Sequence, residues 1–426
     1  MGYFDQANPH ALASITRASE SSSIVASQDI FDAQGVKLWA RNQPVSYALQ
    51  QRLLERKLRQ PMEACLQALD GVSVVNLRDG LERMIDTHPR FGPAFKPRAN
   101  DLLAHTGQLP LHSVAQLLLT SMKADRPESL DHAIAAMALS GALSLGSGAS
   151  PYEVRLSMLA GLLHDIGEIY VDPRYFEFDA DDEALDGPAF RHMVVHPRIA
   201  QVLLGSLTDY PEAVSRAILE HHERLDGSGY PQRTAAAGLS SGGRMLAVVD
   251  ACLGILRRPH YNWAHASFAL RMVPGEFDAA WVKFIVALAH EQDEAMLQEP
   301  GAQELDVLAA RLSQLDGALQ AGNDHASRLA HAVGSSPVVR DVARQAQHLL
   351  AQLRTGWNAM GLWQADTDSP LARFELGAAV REFGFRLRCV RRQCLWPLNE
   401  LSDEARRQLD PLWGALRGAD AAPSPV

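Results

Sequence analysis

The chain has 426 residues, 47% of them hydrophobic and 21% charged, with a formal net charge of −10. That length holds two or three soluble domains, and the acidic balance argues against a nucleic-acid polymer as a partner. The cysteines Cys65, Cys252, Cys389 and Cys394 are scattered and form no Cys-x-x-Cys pair, which argues against a disulfide framework and suits a reducing cytoplasm.

Residues 1 to about 27 are rich in Ser and Ala with little periodicity, and read as a mobile lead-in. Met1-Gly2-Tyr3-Phe4-Asp5-Gln6 has neither a basic nor an apolar secretory region, and Gln6 breaks a myristoylation pattern. No apolar run approaches the ~20 residues of a membrane span, so a cytoplasmic protein without membrane attachment is expected. Asp29 to Ala40 places Asp32-Ala33-Gln34-Gly35 between two apolar arms and predicts a β-hairpin. Tyr47, Leu49, Leu53, Leu54 and Leu58 fall at helical spacing before Pro61, and a second helix is predicted over about 74–88. Pro89, Pro93, Pro97 and Pro110 then break the chain, which marks 89–112 as a domain boundary. Helices follow over about 113–122, 128–146, 151–166, 188–207, 211–222, 241–257 and 278–297. Beyond residue 301, Leu308, Leu312, Leu315 and Leu319 continue the helical spacing, with Trp357, Trp363, Trp396 and Trp413 as packing anchors and a frayed tail over 420–426.

Two dipeptides concentrate the chemistry. His164-Asp165 closes the apolar run Met158–Leu163 ahead of Gly167, and His221-His222 closes Val214–Leu219 ahead of a glycine-bearing turn. Adjacent helical residues point about 100° apart, so each pair can serve two neighbouring ions. Burying His-Asp and His-His pairs is costly unless a cation or a proton network takes them up.

The runs His164-Asp165-Ile166-Gly167 and His221-His222-Glu223-Arg224-Leu225-Asp226-Gly227-Ser228-Gly229-Tyr230-Pro231 resemble the HD-GYP family. That family comprises metal-dependent phosphodiesterases of the HD superfamily that open bacterial cyclic dinucleotides. The resemblance implies a mainly α, HD-superfamily helical bundle over 113–300. An accessory segment over 1–112, with its β-hairpin, and a C-terminal helical region over 301–426 would flank it. It implies that His132, His164, Asp165 and Asp250 hold one metal, with Asp165 bridging to a second held by His196, His221 and His222. Glu128, four residues before His132, would reach a third metal in members that carry one; as a plain helix feature it is an N-terminal acid favoured by the dipole. His192 is read as a surface or supporting histidine.

The same resemblance implies iron first and manganese second as the metals, with cyclic di-GMP as the substrate. A hydroxide bridging the metals would open the phosphodiester, giving linear dinucleotide or GMP, with Asp165 and position 168 at the catalytic edge. Tyr230 would stack on a guanine, and the Gly227–Pro231 loop would meet a diguanylate cyclase or other signalling partner. The C-terminal helices would either pack on the catalytic domain or form a homodimer seam. Two departures stand out. Glu168 replaces the family's Lys near the scissile phosphate, and Arg257-Arg258-Pro259-His260-Tyr261 replaces the family's Arg-Pro-Tyr, leaving Arg257 or Arg258 as the expected arginine for substrate phosphate contact. They motivate an alternative: a catalytically impaired domain that senses cyclic di-GMP or scaffolds other proteins.

Overall fold

The structure, a computed structural model, describes residues 6–176, 187–291, 302–361, 370–398 and 401–417. Trp363, the expected frayed tail and the helix residues expected beyond 291 lie outside them. Helices dominate, joined by two short antiparallel strand pairs. The chain forms two compact units, one drawn from residues 1–173 and 193–254, the other from 174–192 and 255–426.

In the first unit the amino-terminal stretch departs from the mobile lead-in that its composition predicts. Pro9–Ala18 is a helix, started by Asn8, whose side chain accepts from the His10 and Ala11 amides. Pro9 suits a first helical turn, where its missing N–H costs nothing. Ala11, Leu12, Ile15 and Ala18 are fully buried, and the helix packs on Ser113–Asp125. The helical spacing of these few apolar residues outweighs the Ser/Ala-rich average. Ile24–Ala26 then pairs with Leu66–Ala68, and the predicted hairpin joins Ile30–Phe31 to Lys37–Trp39. Asp32 folds its turn by accepting from the Gln34 and Val36 amides at 3.0 and 2.8 Å.

Helix Val74–Thr87 lies where the spacing predicts, whereas Tyr47–Leu54 stops short of Leu58, which bridges to Asp32 instead; each helix is opened by a serine hydroxyl that accepts an amide. The proline-rich stretch 89–112 folds into Phe91–Phe95, a short turn and Ala99–Thr106. These pieces pack on Val74–Thr87, Pro127–Gly146 and Pro151–Leu163, so the stretch lies inside the first compact unit. Ser113–Asp125, Pro127–Gly146, Pro151–Leu163, His196–Leu207, Glu212–Glu220 and Ser241–Leu256 complete the central bundle. The single helix predicted over 188–207 is two, Gly187–Met193 and His196–Leu207. Pro197 explains the second start, since proline belongs in a first turn and not in a helix interior.

The second unit adds Trp263–Arg271, which the sequence reading passed over, then Ala279–Glu291, Ala302–His331, Pro337–Met360, Pro370–Leu395 and Asp403–Arg417. Leu312, Leu315 and Leu319 enter one core with Val342, Leu350, Phe383 and Trp413. Trp357 meets Phe383 edge-on at 4.8 Å. The four cysteines are buried and unbridged. Among the described residues no helix is long and apolar enough to cross a membrane.

Candidate metal centre

Helix ends bring the chemistry together. His132 lies in the second turn of Pro127–Gly146, His164 caps Pro151–Leu163, and His196 opens His196–Leu207. His221 caps Glu212–Glu220 with His222 next, and Asp250 comes from Ser241–Leu256. Asp165 occupies the corner between helix and the tight turn Ile166–Tyr170. A Cβ on Gly167 would stand 2.1 Å from the His196 carbonyl oxygen, so only glycine lets that turn lie against the His196 helix.

The ring nitrogens are oriented by the backbone. Nδ1 of His164, His196 and His221 lies 2.8, 2.7 and 2.5 Å from the carbonyl oxygens of Gly161, Met193 and Ile218. A carbonyl only accepts, so each Nδ1 donates and each Nε2 is the atom left to face inward. Those Nε2 atoms converge on the Asp165 carboxylate. Oδ2 lies 3.0 Å from His164 and 3.4 Å from His132, while Oδ1 lies 3.4 Å from His196 and 3.5 Å from His221. The nitrogens also face one another, at 3.3 Å for His132 and His164 and 3.2 Å for His196 and His221.

Two donor groups result: His132, His164 and Asp165 in one, and Asp165, His196, His221 and His222 in the other. In each, the donor atoms lie within 4.8 Å of one another. Asp250, expected with His132, His164 and Asp165, lies outside both groups, its Oδ2 3.1 Å from Nδ1 of His222 in the other group. Acceptors facing acceptors in a buried site call for positive charge between them. In the absence of a cation, protons on the Nε2 atoms of His164 and His196 supply that charge to the Asp165 carboxylate. Imidazole nitrogens with carboxylate oxygens form a donor set suited to first-row divalent cations. His132, Asp165, His222 and Asp250 keep side chains 15–17% exposed, against 0–4% for His164, His196 and His221.

Without a cation the charges sort themselves by neighbour. Burial works to lower His164, but Asp165 and then Asp250 raise it to about 9. His196 is raised too, because its hydrogen bond to Asp165 and that residue's charge outweigh burial. Burial and His221 push His222 down to about 3. Burial opposes ionisation of Asp165 and Asp250, yet the surrounding histidines hold both below the usual carboxylate range. For Glu168, burial and then the Asp165 charge push the carboxyl up.

Glu168 is engaged by a residue that the sequence reading missed. Arg126 reaches it at 2.6 Å from the linker between Ser113–Asp125 and Pro127–Gly146. Nothing in the local pattern marks Arg126, because 42 residues separate it from its partner. Glu128 stands exposed in the first turn of Pro127–Gly146, outside both donor groups, where a carboxylate suits the positive helix end.

The Gly227–Pro231 loop lies against the centre. Tyr230 stacks on His222 with ring centroids 4.5 Å apart. A Cβ on Gly229 would meet the His222 carbonyl oxygen at 2.4 Å and the Arg224 amide at 2.5 Å. Glu223, a buried residue of the motif, binds the loop instead of an ion, accepting from the Gln232 and Thr234 amides at 2.6 and 3.0 Å. Arg257 and Arg258 belong to the second unit. Arg257 is exposed, and Arg258 pairs with Glu382 at 3.4 Å and covers the Phe385 ring at 4.2 Å. Exposed His192 stacks on Tyr175 at 4.5 Å.

A family model described as an HD domain matches residues 113–259. The cyclic di-GMP phosphodiesterase PA4108 of Pseudomonas aeruginosa is 31% identical over 231 residues, which cover 53% of either chain. Residues 113–259 of the chain are an HD domain. Shorter matches are to the cyclic di-GMP phosphodiesterase response regulator RpfG of Xanthomonas campestris and to a cyclic di-GMP phosphodiesterase of Thermotoga maritima. The first is 33% identical over 28% of this chain and 30% of the relative; the second is 32% identical over 29% and 33%. The aligned region thus spans about half the length of the first relative and about a third of the other two.

Proposed function

We propose that this chain is a metal-dependent phosphodiesterase of the HD-GYP family that opens cyclic di-GMP. The reading rests on one observation: four inward-facing Nε2 atoms around a single carboxylate, each oxygen of which faces one histidine pair. His132, His164 and Asp165 would hold one divalent cation, and Asp165, His196, His221 and His222 a second, with Asp250 as the other carboxylate of the set. Imidazole-rich sets with two carboxylates suit Fe or Mn, with Zn possible, and the resemblance to the HD-GYP family favours iron, then manganese. Bound there, the cations would neutralise phosphate charge and lower the pKa of a water at the site.

The chain's own residues prepare for this. The carbonyls of Gly161, Met193 and Ile218 hold three imidazoles in the ligating tautomer, as outer partners of metal sites do. The exposed edge at His132, Asp165, His222 and Asp250 is where a phosphodiester would enter, beside the Tyr230 ring. Arg126 cancels the charge of Glu168 and leaves the edge free of a net extra anion. Names of relatives support cyclic di-GMP as the substrate class.

Anaerobic loading with Fe(II) or Mn(II), then incubation with cyclic di-GMP and chromatography of the products, tests the proposal. Linear dinucleotide or GMP is the expected product. Dinucleotide binding with no product under either metal would overturn catalysis and favour the sensor reading, which the replacement of the family's Lys by Glu168 motivates.

A further inference from the structure

One ion pair at the edge of the centre is gripped from both sides by the amino-terminal helix. Arg126 is the single residue between Ser113–Asp125 and Pro127–Gly146, with extended backbone at φ −143° and ψ 93°. The adjacent Asp125 accepts from the Ser14 hydroxyl and the Arg17 guanidinium, both on Pro9–Ala18. At the start of that helix Asn8 donates from Nδ2 to the Tyr170 carbonyl oxygen at 3.2 Å. Tyr170 ends the turn that carries Glu168, and its hydroxyl donates to buried Glu63. One helix therefore holds the neighbour of Arg126 and the far end of the Glu168 turn.

We infer that helix Pro9–Ala18 is a positioning element for the metal centre, setting Arg126 against Glu168 through Asp125 and Tyr170. The ion pair then keeps Glu168 out of the cation-binding set. The inference rests on the metal reading proposed above. An anion left without its counter-charge beside a cation site tightens cation binding, whereas an unbalanced guanidinium weakens it. The two halves of the pair thus have opposite effects, which a merely structural contact would not produce.

Mn(II) affinity of the full chain, measured by competition with a chromophoric chelator, reads the effect, with thermal melts of the metal-free protein as the folding control. Arg126→Gln should tighten Mn(II) binding by about three- to tenfold, and Glu168→Gln should weaken it by a similar factor. Ser14→Ala with Arg17→Ala, which alters neither member of the pair, should shift affinity in the direction of Arg126→Gln. Adding Arg126→Gln to that double variant should then change little, as coupled residues do. Should the helix variant fail to fold, Asp125→Asn cuts the same link from the other side. Unchanged Mn(II) affinity in the folded helix or Asp125 variant would overturn the inference. Wild-type protein that binds no Mn(II) would overturn the metal reading itself.

Discussion

Asp165→Asn keeps the outline of the side chain and removes the charge that both histidine groups share. In the metal-free protein, burial opposes the charged form of His164, but Asp165, 3.0 Å from its Nε2, helps raise it to about 9. Each tenfold step in proton affinity is worth about 1.4 kcal/mol. The climb from an ordinary 6.5 to about 9 therefore represents roughly 3 kcal/mol. A histidine raised in the folded state stabilises fully below about 6.5, and the contribution is lost as pH rises through about 9. Asp165, held well below the carboxylate range, stays ionised across that window. At pH 6 the variant should unfold roughly 3 kcal/mol more easily than wild type. Near pH 10 the gap should close, because a buried carboxylate without its charged partner no longer favours folding. Urea unfolding in the presence of a chelator at both pH values measures this. An equal loss at pH 6 and pH 10 would mean a packing defect and refute the electrostatic account, as would no loss at pH 6.

Metal loading should release protons near neutral pH, since His164 carries one up to about 9. Mn(II) affinity should rise by about tenfold per pH unit from 7 towards 9 and then level off, and calorimetry in buffers of different ionisation heat counts the protons; a flat pH profile would contradict the assignment of His164. Gly229→Ala forces a methyl onto the His222 carbonyl and the Arg224 amide. It should cost about 1–3 kcal/mol, seen as a lower Tm with reduced metal content, and an unchanged Tm would show that the loop does not need glycine there.

Much of the bundle was legible because its periodicity is local. Val74–Thr87, Ser113–Asp125, Pro127–Gly146 and Pro151–Leu163 follow apolar spacing and start signals that neighbouring residues carry. Composition misled at Pro9–Ala18, where burial of Ala11, Leu12, Ile15 and Ala18 overrides a polar average. Periodicity alone also ran one helix through Val194–Val195, although Pro197 two residues later marked a new start.

The sequence by itself carried the chemistry of the centre, because the H-D and H-H pairs and the Gly-Tyr-Pro turn are contiguous and leave few other uses for so many histidines. Tertiary structure decided which atoms face which. Backbone carbonyls choose the tautomer of His164, His196 and His221, and Asp165 divides its two oxygens between histidine pairs from four helices. It also decided the setting of Glu168: an anion standing alone in the motif meets Arg126 only after the chain folds, and a contact across 42 residues leaves no local trace. Charge pairing depends on distance in space, and that distance is what the fold supplies.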